Sequence, residues 1–135
     1  QAGSTPSRAD DIVSLVTFGC NIALFSLAFE KSEPIVLPGS AITKEALRAA
    51  SRWLNYFDRD DVLGWPVRPI YEKNRDDLSD RQRATVDRIE DREINVGTPL
   101  VQSATPWSHA GYWTDNDFTK PVAAHLIELI EAIDK

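Results

Sequence analysis

The sequence predicts an α/β fold, in which a sheet of mostly parallel strands is flanked by helices. Three observations support this prediction. The run DIVSLVTFGC is β-rich and almost continuously apolar, which is typical of a strand buried on both faces of a parallel sheet. Further strand candidates alternate with helical segments along the chain. The last segment, PVAAHLIELIEAIDK, has apolar residues at the spacing of an amphipathic helix.

In the first half of the chain we predict a strand over Asp11–Cys20, followed by a short turn or helix in NIALFSLAF. The segment EPIVLPG is bracketed by prolines and is expected to be a loop. A partly helical segment covers Ile42–Asn55 and overlaps a strand candidate over Arg52–Phe57. The apolar face of that helix would consist of Leu47, Ala50 and Leu54.

In the second half, Glu72–Glu93 has 14 charged residues of 22, which is typical of a solvated helix or a surface excursion. A short strand is predicted over Glu93–Gly97, before a long loop, TPLVQSATPWSHAGYW. The C-terminal helix is expected to have Pro121 near its start. Its predicted apolar stripe consists of Val122, Leu126, Leu129, Ile130 and Ile133.

The length of 135 residues suits a single domain, with residues 1–10 as a flexible lead-in. The sequence contains no methionine, so we expect a processed or truncated N-terminus. Three strands are few for a self-sufficient doubly wound sheet. The chain is therefore predicted to be the C-terminal part of a larger domain.

The formal net charge of −6 argues against a nucleic-acid partner, which would require a basic face. No apolar run is long enough for a transmembrane segment, and no signal peptide is visible, so a cytoplasmic location is expected. A single cysteine and two histidines without metal-ligand spacing predict no metal site. No Gly-rich phosphate loop is present, and we expect no cofactor.

Functional groups in α/β sheets gather at the carboxyl ends of the strands, and two such ends carry reactive side chains. Asp58, Asp60 and Asp61 follow the strand WLNYF, and Ser108 and His109 lie in the loop after EINVG. A hydrolytic triad needs an acid near a histidine in this way, because the acid orients the imidazole that deprotonates the nucleophile.

Three motifs resemble lipase-like α/β-hydrolases and occur in that family's order. LVTFGC is similar to the strand after the nucleophile strand, where a small residue and often proline follow TFG; Cys20 and Asn21 stand there. LNYFDRDDVLGWPV resembles the strand that carries the triad acid, and SHAGYW resembles the loop that carries the catalytic histidine.

The resemblance implies a partial α/β-hydrolase-type sheet and an esterase or lipase-like serine hydrolase that acts on small-molecule or lipid esters. It places the triad base at His109 and the acid at Asp61. Asp60 is an alternative, because the register of DRDDV is ambiguous by one residue, and Asp58 matches the family's earlier acidic position. The alternative function is a non-catalytic α/β binding or interaction module.

The nucleophile motif G-x-S-x-G is absent from the chain, since Ser40 in LPGSAIT lacks the second glycine. The resemblance places the serine upstream, so the chain alone is expected to be inactive. An isolated C-terminal part would also expose a sheet edge, and we expect self-association through it.

Ordinary structural roles compete with the catalytic ones. His109 could bond a backbone group of its loop, and the acidic residues could form a solvated turn. The aromatic residues Trp107, Tyr112 and Trp113 are expected to pack and hold the loop. His125 on the last helix and Cys20 at a strand end are interpreted as structural residues.

Overall fold

The protein has an α/β fold built on three parallel strands. In the computed structural model, which describes residues 8–29, 31–61, 63–96 and 111–135, the strands are β1 (Leu15–Phe18), β2 (Trp53–Phe57) and β3 (Ile89–Glu93). β2 lies in the middle and pairs in parallel with both neighbours, so that Trp53 stands beside Leu15 on one side and Ile89 on the other. The predicted fold class and the parallel direction of the strands are confirmed.

Five helices surround this sheet in the described residues. They are α1 (Ile22–Ser26), α2 (Glu45–Ala50), α3 (Arg68–Glu72), α4 (Asp80–Asp87) and α5 (Asn116–Asp134). Short 3-10 turns cover Arg8–Asp11, Arg75–Asp77 and Tyr112–Thr114. None of these helices has the length and hydropathy that crossing a bilayer requires.

The first predicted elements are shorter than expected. β1 covers four residues rather than Asp11–Cys20, and its side chains are only partly buried because it lies at the edge of the described sheet. The helix predicted over Ile42–Asn55 covers only Glu45–Ala50. Ser51 ends it in an extended conformation and donates a hydrogen bond to the Val13 carbonyl, so the tertiary contact overrides the helical pattern.

One charged helix or surface excursion is predicted over Glu72–Glu93. This prediction is wrong for the second half of the segment, which contains β3. The strand predicted over Glu93–Gly97 instead lies at Ile89–Glu93, and residues 94–96 are irregular. Charged side chains are tolerated in this outer strand because they find partners there. Arg92 pairs with Glu90 at 2.6 Å and lies 5.8 Å from the Tyr56 ring centre.

Alternate residues of β2 point into two separate cores, one on each face of the sheet. Trp53 belongs to the first core, which α3 and α4 cover, and Leu54 and Tyr56 belong to the second, under α5. The buried residues of the first core are Leu37, Trp53, Val67, Tyr71, Leu78, Val86 and Ile89. Those of the second are Leu54, Tyr56, Val96, Tyr112 and Phe118.

The last helix begins earlier than predicted and buries a different face. Asp115 caps it by accepting the Asp117 backbone N–H, and Pro121 lies within the helix. Its buried residues are Phe118, His125 and Ala132, which recur at intervals of seven. The predicted stripe is therefore largely wrong, since three of its five members, Leu126, Ile130 and Ile133, are each more than half exposed.

A polar network crosses the sheet through Asn55, which is completely buried in β2. Its amide oxygen accepts a hydrogen bond from Thr17 of β1 at 2.8 Å, and its amide nitrogen donates to Asp91 of β3 at 2.7 Å. The same nitrogen donates to the Trp65 carbonyl at 3.0 Å. Asp91 also accepts the backbone N–H groups of Val67 and Arg68, so the network fixes the start of α3.

Replacing Asn55 with leucine tests this network. Asn55→Leu keeps the approximate volume but leaves the Trp65 carbonyl and one Asp91 oxygen with fewer partners, so we expect a loss of about 2–3 kcal/mol in the free energy of unfolding. Urea denaturation measures this. The control Asn116→Leu, at an exposed position, should change stability by less than about 0.5 kcal/mol. Equal effects of the two substitutions would contradict the role of the network.

Candidate functional site

The candidate site lies at the carboxyl edge of the sheet, where the chain leaves all three strands. Gly19 follows β1 with a φ of 50°, a left-handed conformation that favours glycine. Asp58 follows β2 directly, and Val96 comes three residues after β3. Tyr112 begins the turn before α5 and returns the chain to this edge. These segments place two buried carboxylates beside one buried phenol.

Asp58 acts as a tether between the ends of β2 and β3. It is 3% exposed, and its two carboxylate oxygens accept different backbone N–H groups: Oδ1 from Asp60 at 2.8 Å and Oδ2 from Val96 at 2.6 Å. Both oxygens are therefore already engaged in holding backbone. This arrangement gives Asp58 a structural role at the ends of the two strands.

Asp61 is equally buried, at 3% exposed, but its oxygens are differently engaged. Oδ1 accepts the Leu63 backbone N–H at 2.9 Å in an Asx-type turn, and Oδ2 accepts the Tyr112 hydroxyl at 3.3 Å. Gly64 packs beside this oxygen, since a Cβ at that position would lie 3.1 Å from Oδ2. The turn thus presents one carboxylate edge of Asp61 towards Tyr112.

The Tyr112 hydroxyl joins the two acidic residues. It accepts the Asp58 backbone N–H at 3.0 Å and donates to Asp61. Burial, together with the nearby negative charges of Asp61 and Asp58, raises the pKa of Tyr112 above its usual value, so the phenol keeps its proton. The ring packs against Phe18 and Phe118, with ring centres 5.5 and 6.2 Å away. Packing was the predicted role of Tyr112; its polar contact with the acidic residues was missed.

The structure distinguishes the three aspartates of the DRDD turn. Asp58 and Asp61 are buried, whereas Asp60 is exposed and contributes its backbone N–H to Asp58.

The predicted base His109, with Ser108 and Trp107, lies outside the described residues. Trp113 is 66% exposed, although its ring meets Phe18 edge-on at 4.8 Å.

A second serine–histidine–acid cluster lies at the opposite, amino end of the sheet. His125 Nε2 is 3.1 Å from Ser14 Oγ, and Nδ1 is 3.4 Å from Glu128 Oε2. Ser14 Oγ also accepts the Arg52 backbone N–H at 3.0 Å. A cavity of about 250 Å³ lies beside His125 and Glu128, and Ser14 is not among its described lining residues. The cluster ties α5 to the start of β1, a structural role for His125.

Cys20 does not have the environment of a nucleophile. Burial raises the pKa of its thiol above the usual value, and the backbone contact with Ile22 opposes this only in part. A thiolate is therefore disfavoured at neutral pH. In the described parts of the chain, no three His, Cys, Asp or Glu side chains converge in a way that could hold a metal ion.

A buried carboxylate at a strand end can orient an imidazole and stabilise its protonated form. Comparison of the chain with family models, with curated proteins and with solved structures gives no significant match in any of the three.

Replacing Tyr112 with phenylalanine tests the link between the two acidic residues. Tyr112→Phe removes the acceptor of the buried Asp58 N–H, so we expect a loss of about 1–2 kcal/mol in the free energy of unfolding at pH 7. The control Trp113→Phe, at an exposed ring, should have a smaller effect.

The free energy of unfolding of the Tyr112→Phe variant should also depend on pH less steeply than that of the native chain. Below about pH 10 both folded and unfolded chains keep the phenol proton. Above it the unfolded chain loses the proton first, because the folded-state pKa of Tyr112 is raised, and stability falls as the pH increases. Urea denaturation between pH 9 and 11 should therefore show a shallower fall for Tyr112→Phe than for the native chain. Identical pH profiles would contradict this account of the phenol.

Proposed function

We propose that the chain supplies the acid and the base of a serine hydrolase of the esterase or lipase type. The observation that carries this proposal is the buried carboxylate of Asp61 at the carboxyl end of the central strand. It contacts Tyr112, which stands three residues after His109 in the sequence. The turn that follows a parallel strand at this edge is where an acid for such chemistry is expected.

The anchoring of the loop ends supports the assignment of His109. Val96, just before the segment 97–110, donates its backbone N–H to Asp58, and Tyr112, just after it, donates its hydroxyl to Asp61. Val96 and Tyr112, which stand on either side of this segment in the sequence, are thus both bonded to the acidic turn after β2.

In the proposed mechanism, His109 takes the proton from a serine hydroxyl as that hydroxyl attacks the ester carbonyl, and returns the proton to the leaving alcohol. Asp61 accepts a hydrogen bond from the other ring nitrogen of His109 and stabilises the imidazolium. Tyr112 keeps Asp61 in place. The serine belongs to a G-x-S-x-G motif upstream of this chain, so the reaction requires the full-length protein.

Hydrolysis of p-nitrophenyl esters by the full-length protein tests the proposal. His109→Ala should lower kcat by about 10³-fold or more, and Asp61→Asn by a large factor as well, because each removes a member of the triad. Asp60→Asn is the matched control, since it makes the same chemical change at an exposed neighbour, and it should retain activity. Thermal unfolding of each variant separates loss of chemistry from loss of fold.

Two outcomes would overturn the assignment. Equal rates for the native protein and His109→Ala would exclude His109 as the base. An upstream reading frame without G-x-S-x-G, in a protein without esterase activity, would favour a non-catalytic binding module.

Self-association belongs to the same proposal. β1 pairs with β2 on one side only within the described residues, and an unpaired strand edge recruits further strands. We expect the 135-residue chain to sediment as a dimer or larger species at high concentration. Val16→Pro places a residue without an N–H in this edge strand and should shift the distribution towards monomer. A strict monomer of the native chain would contradict this expectation.

A further inference from the structure

An apolar groove of about 570 Å³ lies between the α1 region and α3. Its volume is within the range of about 300–1,000 Å³ that small-molecule sites usually have. The groove has a wall of large apolar side chains. These are Leu24, Leu27, Phe29, Trp65 and Ile70.

These side chains are unusually open to water for residues of their type. Leu27 is 85% exposed, Phe29 66% and Trp65 51%. Exposed apolar residues are ordinary when scattered, but a contiguous group around a concave surface indicates a binding site. The groove is also held by buried contacts: the Trp65 carbonyl accepts a hydrogen bond from Asn55, and the side chain of Ser32 bonds that of Tyr71.

One side chain in the described lining of the groove is ionised. It is Lys73, and the amide of Asn74 stands next to it in the sequence. Lys73 is exposed and makes no ion pair with the described carboxylates, whereas Lys31 outside the groove pairs with Asp77 at 3.8 Å. A groove whose described lining is apolar apart from one ammonium group without a described carboxylate partner is complementary to a ligand with an apolar body and one negative charge.

We infer that this groove binds an aliphatic carboxylate, with its chain along Leu24, Leu27 and Ile70 and its headgroup at Lys73 and Asn74. Burial of the chain supplies most of the affinity, since each buried CH₂ contributes about 0.8 kcal/mol. Lys73 then selects the anion over the corresponding alcohol. Equilibrium binding needs neither His109 nor a nucleophile, so this inference stands independently of the proposed function.

Calorimetric titration of the native chain with dodecanoate and with dodecanol, below the concentration at which dodecanoate forms micelles, tests the inference. Dodecanoate should bind saturably and about fivefold more tightly than dodecanol, the effect of one ion pair of about 1 kcal/mol. Lys73→Gln should remove that difference by weakening dodecanoate alone. Lys31→Gln is the matched control, because it removes the same charge outside the groove, and it should change the dodecanoate affinity less than twofold.

A second pair of variants tests the apolar wall. Leu27→Asp should weaken both ligands at least about tenfold, since it places a charge where the chain lies. Ile130→Asp makes a matching change at another exposed apolar residue, on α5, and should leave both affinities unchanged. Equal affinity of the native chain for acid and alcohol, or equal effects of Lys73→Gln and Lys31→Gln, would overturn the inference. So would binding to lipid vesicles but not to dispersed dodecanoate, which would assign the groove to a lipid surface.

Discussion

The side chain of Asn55 makes three hydrogen bonds at a position that water does not reach. An amide buried in the middle of a sheet costs stability unless its oxygen and nitrogen both find partners. Here the oxygen binds Thr17 on one neighbouring strand and the nitrogen binds Asp91 on the other. The amide therefore couples all three strands. Through Asp91 and the Trp65 carbonyl, it also fixes the segment that leads from the acidic turn into α3.

The geometry of the carboxyl edge depends on this fixed segment. Asp61 and Gly64 lie between the end of β2 and Trp65, and Gly64 can approach the Asp61 carboxylate closely because it has no side chain. Tyr112 completes the edge from the far end of the chain. Its hydroxyl accepts the Asp58 backbone N–H and donates to the Asp61 carboxylate. The orientation of Asp61 is therefore tied to the backbone of Asp58.

The same short segment brings the groove and the candidate acid together. Trp65 contributes its ring to the groove and its carbonyl to Asn55, and it directly follows Gly64, which packs on Asp61. One short segment of chain thus contributes to both features.

Local sequence determined several features of this protein. The apolar run around Leu15–Phe18 and the aromatic run Trp53–Phe57 are rich in residues that favour strands. The alternation of strands with helices predicts that the strands pair in parallel. The acidic turn after β2 and the amphipathic last helix were also visible without a structure. Pattern and strand polarity alone place Asp58, Asp60 and Asp61 at the carboxyl edge of such a sheet.

Tertiary contacts decided the rest. β3 has the charged sequence IEDRE, and no local pattern marks it as a strand. It pairs in parallel with β2, and Arg92 on it lies over the ring of Tyr56 on β2 and pairs with Glu90 on β3 itself. The buried face of α5 was set by how Phe118 packs on Tyr56, with ring centres 5.1 Å apart. The separation of a buried Asp61 from an exposed Asp60, one residue away, likewise required Tyr112 from 51 residues downstream. Burial and long-range hydrogen bonds depend on which distant residues come into contact in the folded chain. Local sequence patterns do not show which residues those are.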